Sequence, residues 1–100
     1  MANPVIEFGY KHRHLAATAT VWSGPGMLHT ITINRPDTTA GATITVYDGV
    51  DATGTLIAVI TMDQAVFVIP TTLEYDVRSS VGIHIVFSHA VTADITVSYN

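Results

Sequence analysis

The sequence of 100 residues contains no cysteine, so it has neither a disulfide framework nor a thiolate metal site. This lack fits assembly in a reducing cytoplasm. Charged residues make up 12% of the chain, about half the usual share of roughly 25%. The net charge is −4, and the four cations are Lys11, Arg13, Arg35 and Arg78. Because a nucleic-acid surface needs several phosphate contacts on one face, four scattered cations argue against binding to nucleic acid.

Long apolar runs are also absent. No stretch approaches the roughly 20 apolar residues of a membrane-spanning helix, so we expect no membrane contact of that kind. The first residues, MANP, lack the basic segment and apolar run of a signal peptide, and we expect none. The chain is nevertheless 48% hydrophobic with a mean hydropathy of +0.39, which excludes a disordered segment. With this much apolar sequence, we expect part of the outer surface to be apolar. An apolar surface favours a protein that is part of an assembly.

Apolar and polar residues alternate from about Thr18 to the end of the chain, most regularly at Ile95, Val97 and Tyr99. A period of two places successive side chains on opposite faces of a sheet. The predicted strands are residues 18–22, 27–34, 42–47, 56–62, 65–69, 73–77, 81–87 and 95–99, with a further short strand at 5–8. Turn residues separate them at intervals of about 8–12 residues. The sequence therefore predicts one all-β domain, a β-sandwich or jelly-roll-like fold of about eight antiparallel strands, with a closed small barrel as the alternative.

The pattern also predicts which side chains face the core. Residues 42, 44 and 46 are expected inward, and Val81, Ile83, Ile85 and Phe87 are expected to share the inward face of their strand. On strand 27–34, the residues expected on one apolar face are Met27, His29, Ile31 and Ile33, with His29 at the edge of the core. Residues 56–62 are apolar on both faces, so this strand is expected to be covered on both sides.

Residues 1–15 differ in composition from the rest and are predicted to be an N-terminal arm or edge strand, followed by a β-sandwich domain over 16–100. Two of the four cations and two of the five histidines lie in this first segment. Aromatic residues are enriched in the cores of interfaces. The candidate interface residues are therefore Phe8, Tyr10, His12, Arg13, His14 and Trp22. The alternative is that the three aromatic residues among them cover an open end of the sandwich.

Residues with catalytic or ligating chemistry are few. His12 and His14 share one face of a strand, but a metal site would need further ligands such as His29, His84 or His89. A solvated edge strand is the expected role of the pair, and a pH-sensitive contact is the alternative. The serines lack the setting of a nucleophile, and the aspartates sit in turns without a calcium-loop pattern. We therefore predict no catalytic residue, no metal site and no cofactor, and a protein that is not an enzyme.

Several segments in order carry a family resemblance: GMLHTITIN, ITVYDG, GTLIA, LEYDV, GIHIVF and ITVSY, at residues 26–34, 44–49, 54–58, 73–77, 82–87 and 95–99. This order resembles small all-β virion proteins of tailed bacteriophages, above all capsid decoration (cement) proteins, over roughly residues 18–100. The resemblance implies a non-enzymatic structural protein present in many copies on or between capsid subunits. It implies an oligomer, often a trimer, and an N-terminal arm that grips neighbouring subunits.

The partners that this resemblance implies are further copies of the chain and a major capsid protein. The implied location is the capsid surface of the virion, after synthesis in the host cytoplasm. The family offers no functional residue to carry over, so the candidate interface rests on this chain alone. The alternatives are a head-fibre, neck or tail component and a ligand-binding or glycan-binding β-sandwich module.

Overall fold

The computed structural model describes residues 10–62 and 71–100. Within these ranges the chain is all-β, and no helix there could cross a membrane. The eight strands of the described ranges are β1 (Lys11–Leu15), β2 (Ala19–Ser23), β3 (Gly26–Arg35), β4 (Thr43–Asp48), β5 (Thr55–Thr61), β6 (Thr71–Ser79), β7 (Gly82–Phe87) and β8 (Asp94–Tyr99). The strands predicted at 5–8 and 65–69 lie outside the described residues.

The strands form two four-stranded antiparallel sheets. Sheet A has the order β1-β8-β3-β6, and sheet B has the order β2-β7-β4-β5. The pairs β1–β8, β2–β7, β3–β6 and β4–β5 are those of a long hairpin rolled up on itself, and the pairs β3–β8 and β4–β7 join them into sheets. This is a jelly-roll arrangement. The predicted β-sandwich is confirmed, and the described strands lie in two sheets rather than one closed barrel.

The core lies between the two sheets and is almost entirely aliphatic. Its fully buried side chains alternate along their strands, as the period of two predicts. The members contributed by the middle of the two sheets are Ile31, Ile33, Ile44, Val46, Ile83, Ile85, Ile95 and Val97. Packing the two inner faces at about 10 Å removes these side chains from water. The inward faces predicted for residues 42–46, 83–87 and 95–99 are therefore confirmed. Val81, expected on the same face as Ile83, is instead 55% exposed, because it lies in the turn before β7.

The predicted face of β3 is wrong in its first half. Leu28 is fully buried, whereas Met27 and His29 are only half-buried. The register of β3 shifts between Leu28 and Thr30 against both of its neighbours. A bulge of this kind changes which residues point inward. Because of it, Leu28 joins Ile31 on the core face, and His29 is turned away from that face.

The prediction that residues 56–62 are covered on both sides is also wrong. Strand β5 is an edge strand of sheet B, and Leu56 and Val59 are each 56% exposed. A short apolar run has the same hydrophobic pattern whether its second face is covered by the protein or not. The exposed outer face of β5 is therefore a property that only the fold reveals.

Candidate interaction surface

The candidate interface lies mainly on β1, which is an edge strand of sheet A. Lys11 pairs with Tyr99 and Leu15 pairs with Ile95, so all five residues of β1 are in register with β8. Opposed residues of an antiparallel pair point to the same face. Lys11, Arg13 and Leu15 therefore point towards sheet B, while His12 and His14 lie on the outer face of sheet A. The two histidines share one face, as their spacing predicts.

The inward cations of β1 connect the edges of the two sheets. An Arg13 guanidinium nitrogen (Nη1) donates a hydrogen bond to the backbone oxygen of Thr20 on β2, at 2.6 Å. The Lys11 Nζ lies 4.4 Å from the centroid of the Trp22 ring, within the range of a cation–π contact. Both contacts join β1 to β2 at the same open side of the sandwich, so two of the four cations are engaged within the molecule.

Trp22 closes the sandwich at this side. Its Nε1 donates to the backbone oxygen of Pro25 at 3.1 Å, and its ring lies 6.0 Å from that of Tyr99, tilted by 37°. The side chain is half-buried and packs against the core cluster. Gly26 lies so close that a Cβ built on it would stand 3.1 Å from the indole. Trp22 therefore acts as a cover between β2 and β8.

Tyr10 lies at the start of the described chain and stacks on the outer face of sheet A. Its ring lies 3.9 Å from that of His29, with 7° between the planes. The His29 Nδ1 in turn contacts the Asp76 Oδ1 on β6. This contact is the main cause of an Asp76 pKa below its usual value. The stack ties Tyr10 to the central strand β3 and, through His29 and Asp76, to the edge strand β6 of sheet A. Tyr10 itself remains about half exposed.

His14 has an acidic partner, and His12 is exposed beside it. The His14 Nε2 lies 2.9 Å from the Asp94 Oδ1, which also accepts a hydrogen bond from the Asn34 side chain at 2.9 Å. The bond from His14 is the largest cause of the lowered pKa of Asp94. The structure thus brings Tyr10, His12, Arg13 and His14 together along one edge, with Trp22 beside them. Phe8 lies outside the described residues.

The histidines considered as further metal ligands are not gathered around His12 and His14. His29 lies on sheet A against Tyr10, and His84 lies on sheet B, where its Nδ1 is 2.8 Å from the Thr20 hydroxyl. His89 follows β7 and contacts the neighbouring Ser88. Among residues 10–62 and 71–100, no group of three His, Cys, Asp or Glu side chains is placed to hold a metal ion.

Two aspartates have a role that sequence reasoning missed. The Asp37 carboxylate accepts hydrogen bonds from the backbone N–H groups of Thr39, Val91, Thr92 and Ala93. These bonds, led by the one from Thr39, hold the pKa of Asp37 far below its usual value. Asp37 therefore ties the loop after β3 to the loop before β8. Nothing in the local sequence signals this, because three of the four donors lie more than 50 residues away.

Asp48 plays the same part at another corner. It accepts the backbone N–H groups of Ser80, Val81 and Gly82, the nearest at 2.8 Å. These bonds lower the pKa of Asp48, with the one from Ser80 contributing most. The carboxylate therefore holds the β6–β7 turn against the end of β4. The turn-forming role that the sequence predicts for Asp48 understates this, since its carboxylate holds a different turn, more than 30 residues away in the chain.

A surface cleft of about 670 Å³ opens beside the turn between β2 and β3. The residues that line it are Pro25, Gly26, Met27, Arg78, Ser79, Ser80 and Asn100. Arg78 is exposed there, and the buried Ser79 hydroxyl has no hydrogen-bond partner among the described residues. No sequence motif pointed to this cleft, since it is assembled from three separate parts of the chain.

Charge and exposed apolar area are unevenly distributed over the two sheets. Asp48, at the end of β4, is the one Asp, Glu, Lys or Arg carried by the described strands of sheet B. Within residues 10–62 and 71–100, the large apolar side chains that stay exposed are Tyr10, Val50, Leu56, Val59, Val81 and Val91. They lie on separate parts of the sandwich. Comparison of the chain with protein-family models, with curated proteins and with solved structures found no match.

Proposed function

We propose that this chain is a structural virion protein of a tailed bacteriophage, a capsid decoration protein that binds the shell as an oligomer and stabilises it. The observation that supports this most is the set of exposed apolar side chains on separate faces of a chain with few charges. Val59 on β5, Val81 before β7 and Val91 before β8 are all more than half exposed. We take these side chains as parts of surfaces that neighbouring copies or capsid subunits would cover.

Contacts on several faces suit a protein that sits between neighbours in a lattice. A decoration protein touches other copies of itself and the major capsid protein, and each contact alone can be weak. Repetition of such contacts around a shell raises the overall affinity through effective concentration. A jelly roll with four edge strands and two broad sheet faces offers the surfaces that this requires, and the candidate residues on β1 form one of them.

The test uses phage particles that lack the chain, obtained by deleting its gene from the phage that encodes it. Purified chain is added back, and bound protein is measured after sedimentation of the particles. We expect saturable binding in a fixed ratio to the major capsid protein and a higher temperature for release of the packaged DNA. Particles that bind none of the chain would contradict the proposal. Electron microscopy of the labelled chain would reassign it if the label lay on the neck, fibres or tail.

The cleft beside the β2–β3 turn favours a second candidate, a ligand-binding or glycan-binding module. Arg78 and Ser80 line it, and both offer hydrogen-bond donors to a polar ligand. A glycan screen with and without calcium tests this function. A specific hit should be lost in Arg78→Ala and retained in Arg35→Ala, since the Arg35 guanidinium is already donating to the Thr92 backbone at 2.7 Å. Equal loss in both variants would count against the cleft as the site.

A further inference from the structure

Strand β5 forms an edge of sheet B that is open to pairing. It is hydrogen-bonded to β4 on one side, and on the other side no described strand pairs with it. The backbone N–H and C=O groups along such an edge are a template for a further strand. The seven residues of β5, TLIAVIT, include no charge and no proline, which are two of the devices that block edge pairing in monomeric proteins.

The other three edges of the sandwich carry such devices. Strand β1 has Lys11 and Arg13, and β6 has Glu74, Asp76 and Arg78. Strand β2 is five residues long, contains a register irregularity, and has a backbone oxygen occupied by Arg13. Among the edges that the structure describes, β5 is therefore the one with no charge, no proline and no backbone oxygen occupied by a side chain, although its register with β4 is irregular.

The outer face beside this edge has exposed apolar side chains among neutral residues. Leu56 and Val59 are each more than half exposed, Leu56 lies opposite Tyr47, and Val59 lies in a row with Thr45 and Val86. A net charge of −4 opposes contact between two copies of the chain. That repulsion is smallest where the strands themselves carry no charge, which is along β5 and the face of sheet B next to it.

Along β5, core-facing and outward-facing side chains follow one another in the same order from either end of the strand. The register with β4 shifts between Leu56 and Ala58, so that Ile57 and Ala58 both turn towards the core side. Leu56 and Val59 then flank them on the outer face, and Ile60 lies on the core side again. Two copies of this strand can pair antiparallel about a two-fold axis with each outer residue opposite an outer residue.

We infer that a second copy of this chain pairs with β5 through its own β5, which joins the two B sheets into one continuous eight-stranded sheet. In this register Leu56 lies opposite Val59 of the second copy, and Ile57 lies opposite Ala58 of the second copy. The most exposed apolar side chains of the strand thereby cover one another. The pairing rests on the proposed function only in that several copies act together, and it assigns the contact between copies to a different strand from the candidate interface on β1.

The first experiment measures the mass of the full chain by light scattering over a concentration series. The wild-type chain is expected to move from monomer towards dimer or a higher even oligomer as concentration rises. Val59→Lys places a charge on the paired edge and should remain at half the dimer mass throughout. Ala90→Lys is the matched control, because Ala90 is exposed in the loop between β7 and β8, and it should behave like the wild type. Circular dichroism checks that both variants keep the all-β fold.

The second experiment determines the register, using the absence of cysteine from the chain. The double variant Leu56→Cys with Val59→Cys places two pairs of thiols across the proposed two-fold axis. Opposed Cα atoms of an antiparallel pair lie about 4.5–5.5 Å apart, which a disulfide can span. Within one chain, positions 56 and 59 are about 10 Å apart along the strand, too far for a disulfide. Mild oxidation should therefore give a covalent dimer of the double variant, while Leu56→Cys alone should stay monomeric under denaturing conditions.

Each result decides the inference separately from the proposed function. A wild-type chain that stays monomeric at all concentrations, with no covalent dimer of the double variant, overturns the pairing but leaves binding to the phage shell open to its own test. An oligomer, including a trimer, whose mass is unchanged by Val59→Lys also overturns the pairing and places self-association on another surface. A Val59→Lys monomer together with the covalent dimer establishes it, even if the chain proves absent from the shell.

Discussion

The Arg13 guanidinium on β1 donates a hydrogen bond to the backbone oxygen of Thr20 on β2, at 2.6 Å. The two residues are seven positions apart, yet they belong to the edges of different sheets. The short connection between β1 and β2 carries the chain from one sheet to the other, and this bond joins the two edges where they would otherwise open. The candidate interface on β1 is therefore also part of what holds the sandwich closed.

Loss of this bond should be measurable as a loss of stability. Arg13→Ala is expected to lower the free energy of unfolding by about 0.5–1.5 kcal/mol, the usual contribution of one hydrogen bond. The measurement is urea denaturation followed by circular dichroism. His12→Ala is the control, because His12 is exposed on the opposite face of the same strand. Equal effects of the two substitutions would mean that the Arg13 contact does not hold the two edges together in solution.

The centre of the core should be sensitive to a cavity in β7. Ile85 is fully buried, and Ile85→Ala is expected to cost about 2–5 kcal/mol because it removes buried methyl groups and leaves a void. Val81→Ala, just before the same strand, should change stability by less than about 0.5 kcal/mol because Val81 is exposed. Thermal and chemical unfolding of the two variants give the comparison. A cost below about 0.5 kcal/mol for Ile85→Ala would mean that the inward face of β7 is wrongly assigned.

The bulge in β3 leads to a paired prediction on adjacent residues. Leu28 is fully buried, while Met27 is half-buried and lies opposite the exposed Arg78. Leu28→Ala should therefore cost about 2–5 kcal/mol, and Met27→Ala should cost clearly less. The same unfolding measurements apply to both. A larger stability cost for Met27→Ala than for Leu28→Ala would mean that Met27 and His29 face the core, as regular alternation predicts. Strand β3 would then have no bulge at this point.

Stability should depend on pH through Asp37. Its pKa in the folded protein lies far below its usual value, because four backbone N–H groups donate to the charged carboxylate. A group whose pKa is lowered by folding stabilises the fold above its unfolded pKa of about 4, and the contribution is lost as the pH falls towards the folded pKa. Wild type should therefore lose stability below about pH 4.

The variant Asp37→Asn isolates this contribution. It should be less stable than the wild type at pH 7, and the difference in melting temperature between the two should narrow as the pH falls below about 4. Asp51→Asn is the comparison, since Asp51 is exposed and, among the described residues, its carboxylate accepts hydrogen bonds from Thr53, two residues away. These bonds also lower the pKa of Asp51, but they join no distant loops, so Asp51→Asn should have the smaller effect at pH 7. A constant difference between Asp37→Asn and wild type from pH 7 to pH 3 would show that the charge of Asp37 is not what stabilises the loops.

The strands themselves were largely predictable. The predicted strands at 27–34, 42–47 and 95–99 correspond to observed strands at Gly26–Arg35, Thr43–Asp48 and Asp94–Tyr99. These segments are long or regular, and each buries one face, so the alternation of apolar residues is strict. The candidate interface was only partly predictable. Residues 10–14 are neighbours in the chain, so their proximity needs no tertiary structure. The stacking of Tyr10 on His29 and the contact of Lys11 with Trp22 depend on where the fold places other strands.

The all-β class of the described chain and most of its core follow from the amino-acid sequence. Alternation of apolar residues and turn-forming residues act within each segment, so they need no information from the rest of the chain. The tertiary structure decided which strands became edges, where the bulge in β3 turned His29 out of the core, and how Asp37 came to bind a loop more than 50 residues away. These features depend on which segments lie next to one another. A strand such as β5 has the same apolar sequence whether it has one neighbour or two, so its position at the edge of the described sheet B is visible only in the folded molecule.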